Sequence, residues 1–145
     1  WVQFMTSIAR DEVAHLATVS RLLEQRGGTM TRTHRSSYAT RLRGLIRMGR
    51  AREELVDRLL TSALIELRSC ERFEILGRKC PDPILKKLYR SLWASEHGHY
   101  SVFVELAAGV KAVKGVAGRW KELLREEAEI ISSEPVHCGI HGWVE

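Results

Sequence analysis

Apolar residues recur every three or four positions along most of the chain, which is the spacing of one face of an α-helix. Five segments carry this pattern, at about 1–26, 36–48, 51–77, 83–109 and 116–132. Alternating runs of β-branched residues, which would predict strands, are almost absent. The pattern therefore predicts a nearly all-α protein.

Local signals mark the ends of several of these helices. Gly27 and Gly28 follow the first segment, and glycine is common just beyond a helix C-terminus. In the phrase CPDP, Asp82 suits the N-cap position and Pro83 the first helical position. The inward face predicted for the first helix consists of Phe4, Ile8, His15, Val19 and Leu22.

Acidic and imidazole side chains interrupt the apolar faces of three helices. Glu12 and His15 are three residues apart in the first helix, Glu96 and His99 repeat that spacing in the fourth, and Glu66 lies in the apolar stripe of the third. Positions i and i+3 lie on one face of a helix, so each pair presents a carboxylate beside an imidazole. Burial of such carboxylates requires compensating positive charge.

Two sources could supply that charge. Arg68 and Arg72 are near Glu66 in the sequence and could neutralise the carboxylates. Metal ions would supply the same positive charge more compactly. A single Glu-x-x-His is common by chance, but two copies in phase with apolar faces match the ferritin-like bundle. That bundle takes one Glu from each of two helices and a Glu-x-x-His from each of the other two.

One carboxylate of that template has no counterpart, because Glu66 is the only single glutamate in place. The pseudo-repeat places the missing one on a helix about 18 residues before position 1. Three carboxylates would leave two Fe(II) ions with net positive charge, which favours weak binding or one occupied position.

Glu71 is the alternative to Glu66 as the ligand on this helix, but it points about 140° away on the helix. We expect Glu71 to support a ligand or to form a salt bridge.

The basic residues are unevenly distributed, although the formal net charge is only +5. No acidic residue occurs between Glu24 and Glu53. Such a block predicts an acidic partner, with nucleic acid first, or else a solvated helix face. His34 and Tyr38 are weaker candidates for stacking on a base. The candidate phosphate contacts are Arg35, Arg41, Arg43 and Arg47.

The length of 145 residues suits one domain, 1–145, and no apolar run approaches the roughly 20 residues of a membrane span. Cys70, Cys80 and Cys138 are an odd number with no CxxC pair, which favours thiols in a reducing cytoplasm. His137, Cys138 and His141 form one cluster without a second ligand pair, so we expect a packed or disordered tail instead of a zinc site.

Two phrases carry a family resemblance: LVDRLLTSALIELRSCERF, and LKKLYRSLWASEHGHYSVFVELA after it. They closely resemble the MiaE family of tRNA 2-methylthio-N6-isopentenyladenosine hydroxylases, and the likeness extends from ARDEVAHL to EPVHCGIHG. The resemblance implies a ferritin-like bundle with a long crossover and two non-haem iron ions. The ligands it implies are Glu12, His15, Glu66, Glu96 and His99, of which the three glutamates would be catalytic.

The resemblance also implies a reaction and its partners. The substrate would be the modified adenosine beside the tRNA anticodon, hydroxylated on its isopentenyl group with O2. A separate reductase would supply electrons, because the sequence has no flavin or nicotinamide fingerprint. Two alternatives remain: another ferritin-like di-iron oxidase or peroxidase acting on a small molecule, and a metal-free helical RNA-binding protein.

Overall fold

The computed structural model describes residues 1–30 and 36–134, and all regular secondary structure within these ranges is helical. The predicted helices are confirmed, although α2 ends several residues early because the chain turns after Gly44. No helix in the two described ranges combines the length and apolar character that a bilayer span requires. The helices are α1 (Val2–Gln25), α2 (Ser37–Gly44), α3 (Arg52–Lys79), α4 (Pro83–Ala108) and α5 (Val116–Ser133).

The chain forms two compact units, Trp1–Ser36 and Ser37–Glu145. The first unit contains α1, which ends as its glycines predict. The backbone N–H of Gly28 donates to the carbonyl of Leu23 at 3.0 Å, and that of Gly27 donates to Glu24 at 2.9 Å. Gly27 has a φ of +73°, which only glycine adopts at little cost. These two bonds form a Schellman motif that closes the helix.

The predicted inward face of α1 is only partly correct. Ile8 is buried and His15 is half-buried, but Phe4 is 53% exposed and Val19 is 45% exposed. The prediction for Phe4 and Val19 was wrong because an apolar stripe shows which face a helix can bury, and not what covers each position.

The second unit is built on a helical hairpin of α3 and α4. Asp82 caps α4 as predicted, since its carboxylate accepts hydrogen bonds from the backbone of Ile84 and Leu85 at 2.8 and 3.1 Å. The short connection makes the two helices antiparallel neighbours. Gly77 therefore meets Arg90 near the connection, while residues further back on α3 meet residues further along α4.

A buried network of ion pairs holds α3 in place at the end of the hairpin that is away from the α3–α4 connection. Asp57 is fully buried and accepts hydrogen bonds from the guanidinium groups of Arg47 and Arg119. Arg119 also donates to the carbonyl of Leu45 at 2.6 Å. One carboxylate thus joins α3, α5 and the segment after α2. Apolar side chains complete this core, among them Val56, Leu60, Leu64 and Leu123.

Candidate metal centre

The α3–α4 hairpin brings together three of the residues that the sequence nominated. One donor atom from each of Glu66, Glu96 and His99 lies within 4.8 Å of the others. Glu66 lies on the face of α3 that also buries Ala63 and Cys70, and this face meets α4. We call these three residues the carboxylate–imidazole cluster. The second unit therefore brings buried Glu96 and His99 together with half-buried Glu66.

Glu96 and His99 form the tightest part of the cluster. His99 Nδ1 lies 3.4 Å from Glu96 Oε2, and both side chains are more than nine-tenths buried. The i, i+3 spacing on α4 produces this pairing directly. Ser95 Oγ lies 3.5 Å from His99 Nε2 on the other side of the ring. Leu92 and Phe103, one turn before and one turn after the pair, are also buried and keep this face of α4 dry.

The thiol of Cys70 experiences the negative charge of the cluster. Burial raises the pKa of Cys70 to about 11, and the nearby carboxylates of Glu96, Glu66 and Glu71 add to the rise. A thiol with a raised pKa stays protonated at neutral pH, so Cys70 is not a thiolate here. The two carboxylates of the cluster thus add to the effect of burial on this thiol.

Arg68, one of the two arginines considered as an internal counter-charge, is used elsewhere. Its Nε and Nη2 donate to the two carboxylate oxygens of Glu127 at 3.0 and 2.8 Å, and it also pairs with Glu71. The expected salt bridge of Glu71 is therefore confirmed, and its side chain is half-exposed. The guanidinium of Arg68 thus neutralises the carboxylates of Glu127 on α5 and Glu71 on α3.

Tyr38 does not offer its ring to a base, so that suggestion was wrong. It is 1% exposed, and its hydroxyl donates to Glu127 Oε1 at 2.9 Å. Burial and the adjacent carboxylate of Glu127 raise the pKa of Tyr38 well above its usual range. The sequence reading missed this Tyr38–Glu127–Arg68 network. The available signal was Glu127 itself, which lies in phase with the apolar stripe of Leu123, Ile130 and Ile131.

Glu12 and His15 belong to the first unit, where they are neighbours on α1. His15 Nδ1 lies 3.7 Å from Glu12 Oε1, and their side chains are 22% and 48% exposed, respectively. The predicted carboxylate–imidazole pairing of this Glu-x-x-His is thus present on α1, as it is on α4.

The arginines proposed for RNA have different surroundings. Arg41 donates to the carbonyl of Ile130 at 3.2 Å and to Ser133 Oγ at 2.7 Å, and it pairs with Glu134. Arg47 is held by Asp57.

Arg43 is exposed, and no ion pair joins it to another residue of the described ranges. Of the three candidates that the structure describes, Arg43 is thus the one whose charge is not paired with a described acidic residue. Arg35 lies outside the described residues, as do His34 and the tail residues His137, Cys138 and His141.

The donor set of the carboxylate–imidazole cluster suits a metal ion. Imidazole nitrogen and carboxylate oxygen are the ligands of ferritin-like di-iron sites. Burial of the Glu96 carboxylate beside half-buried Glu66 is unfavourable unless positive charge is brought to the pair, so binding of a cation would relieve that cost. The three donors are close enough to one another to contact a shared ion or a bridged pair.

Comparisons with known proteins show which family this chain matches. The sequence model of the family described as MiaE, tRNA-(MS[2]IO[6]A)-hydroxylase, matches residues 1–142. A tRNA 2-(methylsulfanyl)-N(6)-isopentenyladenosine(37) hydroxylase from Pseudomonas putida is 36% identical over 146 residues, covering 99% of this chain and 69% of that protein. A hydroxylase of the same name from Salmonella typhimurium is 30% identical over 142 residues, or 97% of this chain, which spans 51% of that relative.

A solved structure extends the likeness to the fold. It is described as "Protein 43 with aldehyde deformylating oxygenase activity from Synechococcus", and it aligns with a TM-score of 0.84 at 28% identity. The alignment covers 96% of this chain and 68% of that one. The predicted all-α, ferritin-like fold is confirmed. Together these similarities show that the chain is an oxidoreductase and belongs to the MiaE family of tRNA-modifying hydroxylases.

Proposed function

We propose that this chain hydroxylates the isopentenyl group of 2-methylthio-N6-isopentenyladenosine beside the tRNA anticodon, using O2 and two non-haem iron ions. Family membership supports the substrate and the reaction type. The single observation that carries the iron proposal is the carboxylate–imidazole cluster of half-buried Glu66 with buried Glu96 and His99.

The proposed ligand set draws on both units. The second unit contributes Glu66, Glu96 and His99, and the first contributes Glu12 and His15. We propose that residues 1–145 act as one ferritin-like domain. The repeated Glu-x-x-His motif supports the proposal, because the di-iron template uses that motif on two helices.

Bound iron would supply the redox chemistry that activates O2 for insertion into an allylic C–H bond. The protein's own groups prepare the site for it. Glu66 and Glu96 supply carboxylate oxygens, and His99 supplies an imidazole nitrogen. The buried side chains of Leu92 and Phe103 exclude water from this region of α4.

The overall reaction fixes the partners that are needed. One atom of O2 enters the substrate as the hydroxyl group, and the other leaves as water after taking up two electrons and two protons. We propose that a separate reductase donates the two electrons, since the sequence contains no flavin or nicotinamide fingerprint. We also propose that the Arg-rich segment, residues 26–52, contacts tRNA phosphates. Among its described candidate contacts, Arg43 is exposed and has no ion pair with a described residue.

Isotope labelling of the product tests the proposal. The protein is loaded anaerobically with Fe(II), then given modified tRNA, a chemical reductant and ¹⁸O2, and the nucleosides are analysed by mass spectrometry. One ¹⁸O atom per hydroxylated adenosine is expected, and a parallel reaction in H₂¹⁸O should leave the product unlabelled.

The same assay separates the alternatives. Iron-dependent O2 consumption with no change in the tRNA would support an oxidase acting on a small molecule. Tight tRNA binding by a protein that takes up no iron would support the metal-free RNA-binding reading. Either result would contradict the proposed function.

A further inference from the structure

A second basic region lies where α3 and α4 meet, outside the Arg-rich segment. Residues 72–90 contain six basic and two acidic residues. The two acids are Glu74, which pairs with Arg78, and Asp82, whose carboxylate caps α4. This end of the hairpin is therefore electropositive. The basic residues are Arg72, Arg78, Lys79, Lys86, Lys87 and Arg90.

This basic end contains a cavity of about 300 Å³ between the two helices, which we call the α3–α4 groove. The volume is at the lower end of the range for small-ligand pockets, roughly 300–1,000 Å³. The groove combines aromatic rings with guanidinium groups, as nucleic-acid sites do. Its lining residues are Phe73, Glu74, Gly77, Arg78, Arg90 and Trp93.

Close packing at Gly77 fixes one wall of the groove. A Cβ at this position would lie 3.1 Å from Arg90 Cγ, so glycine lets the Arg90 side chain cross directly over α3. Arg90 Nε then donates to the carbonyl of Gly77 at 3.1 Å. This bond holds the guanidinium of Arg90 at the groove. Because Arg90 is exposed, its other N–H groups can donate to an acceptor such as phosphate.

The aromatic residues form the other part of the groove. Phe73 is buried and stacks on Tyr89 with a centroid distance of 6.0 Å, which holds its ring in place. Trp93 is 40% exposed and stacks on His97 at 5.4 Å. A large, partly exposed indole backed by a second ring is a suitable platform for a base.

The groove is close to the carboxylate–imidazole cluster along both helices. Trp93 precedes Glu96 by three residues on α4, about 4.5 Å along the axis, and Phe73 follows Glu66 by seven residues on α3, about 10 Å along the axis. An RNA base in the groove would therefore be within one nucleotide's reach of the cluster.

We propose that the α3–α4 groove binds an unpaired base of the tRNA substrate, with Trp93 stacking on the base and Arg78 and Arg90 contacting flanking phosphates. The inference rests on the proposed function, because it assumes that tRNA is the substrate. It adds a second tRNA contact, at the basic end of the hairpin, to the contact proposed for the Arg-rich segment.

Two substitutions with matched controls test the site. Trp93→Leu keeps an apolar side chain but removes the stacking surface, and Trp1→Leu is its control because Trp1 is 50% exposed in the first unit. Arg78→Gln removes a groove charge. Arg58→Gln is its control because both arginines pair with a glutamate four residues earlier on α3. Arg58 lies twenty residues from Arg78, about 30 Å along the helix.

The measurement is tRNA affinity as a function of salt, by fluorescence anisotropy with the iron-loaded full chain. We expect Trp93→Leu to weaken binding at least about fivefold without changing the salt slope, since stacking releases no counterions. Arg78→Gln should reduce the slope of log K against log salt by about 0.7–0.9. Both controls should stay within about twofold of the original chain.

Several results would overturn the site. Unchanged affinity in Trp93→Leu would exclude stacking, and would be the outcome if the groove served an acidic peptide instead. Equal slope changes in Arg78→Gln and Arg58→Gln would show a diffuse charge effect. If only the groove proposal is wrong, the unaltered chain still binds and hydroxylates tRNA. If the unaltered chain neither binds nor hydroxylates tRNA, the proposed function fails as well.

Discussion

Arg47 binds the buried carboxylate of Asp57 through two parallel hydrogen bonds. Arg47 Nε lies 2.8 Å from Asp57 Oδ2, Arg47 Nη2 lies 2.7 Å from Oδ1, and the backbone N–H of Arg47 adds a third bond at 3.0 Å. Arg119 approaches the same carboxylate from α5 at 3.0 and 3.1 Å. An arginine that charge patterning assigned to RNA thus holds the second unit together.

We predict that Asp57→Asn strongly destabilises the second unit. Removal of the charge leaves two guanidinium groups without their counter-charge in the interior, and loss of one partner of a buried ion pair costs about 3–5 kcal/mol. The free energy of unfolding by urea, followed by circular dichroism, measures this. Glu74→Gln is the control, because its half-exposed pair with Arg78 is expected to contribute less than about 1 kcal/mol. Similar losses in both variants would contradict the structural role of Asp57.

The stabilisation by Asp57 should depend on pH in the acid range. Burial alone would raise the pKa of Asp57, but the hydrogen bonds from Arg47 and Arg119 outweigh it and lower the pKa below its ordinary value. A carboxyl whose folded pKa is lowered stabilises the fold above its unfolded pKa, near 3.9, and loses that effect as the pH falls through the folded pKa.

Unfolding free energies of the original chain and of Asp57→Asn, measured from pH 7 to pH 2, test this pH dependence. The difference between the two proteins should be constant above about pH 5 and should narrow below about pH 4. A difference that widened toward low pH would show that the sign is wrong.

Substitution of two arginines should separate RNA binding from folding. Arg43→Gln removes an exposed charge, so we expect weaker tRNA binding at low salt, a smaller salt slope and unchanged thermal stability. Arg47→Gln disrupts the bonds to Asp57, so its first effect should be a lower melting temperature. Filter binding and thermal melts of both variants make the comparison. If Arg43→Gln leaves tRNA affinity unchanged, the Arg-rich segment is a solvated surface, as the alternative reading held.

The sequence predicted the features that depend on residues close together in the chain. The spacing of Glu96 and His99, the cap at Asp82 and the glycine end of α1 are all set within one or two helical turns. The structure confirms that they form, because local geometry alone produces them. Glu66 lies near Glu96 and His99, since a short connection makes α3 and α4 antiparallel neighbours.

Pairings between residues far apart in the chain could not be predicted in the same way. Arg68 and Glu127 are 59 positions apart, and several arginines and glutamates could have paired equally well on spacing alone. Charge counting treated Arg41 and Arg47 as free for phosphate. Packing of α2 against α5 instead brings Arg41 to Glu134, and the segment after α2 brings Arg47 to Asp57. The α3–α4 groove was missed because its basic residues lie on two helices and form no continuous run.

Iron content is the most direct test of whether the carboxylate–imidazole cluster binds metal. It is determined by mass spectrometry after anaerobic Fe(II) loading and gel filtration, for the original chain and for His99→Ala, Glu66→Ala and Glu71→Ala. We expect bound iron in the original chain, nearly complete loss in His99→Ala and Glu66→Ala, and retention in Glu71→Ala, whose carboxylate pairs with Arg68 instead. Equal iron loss in all three variants, or no iron bound by the folded original chain, would contradict this expectation.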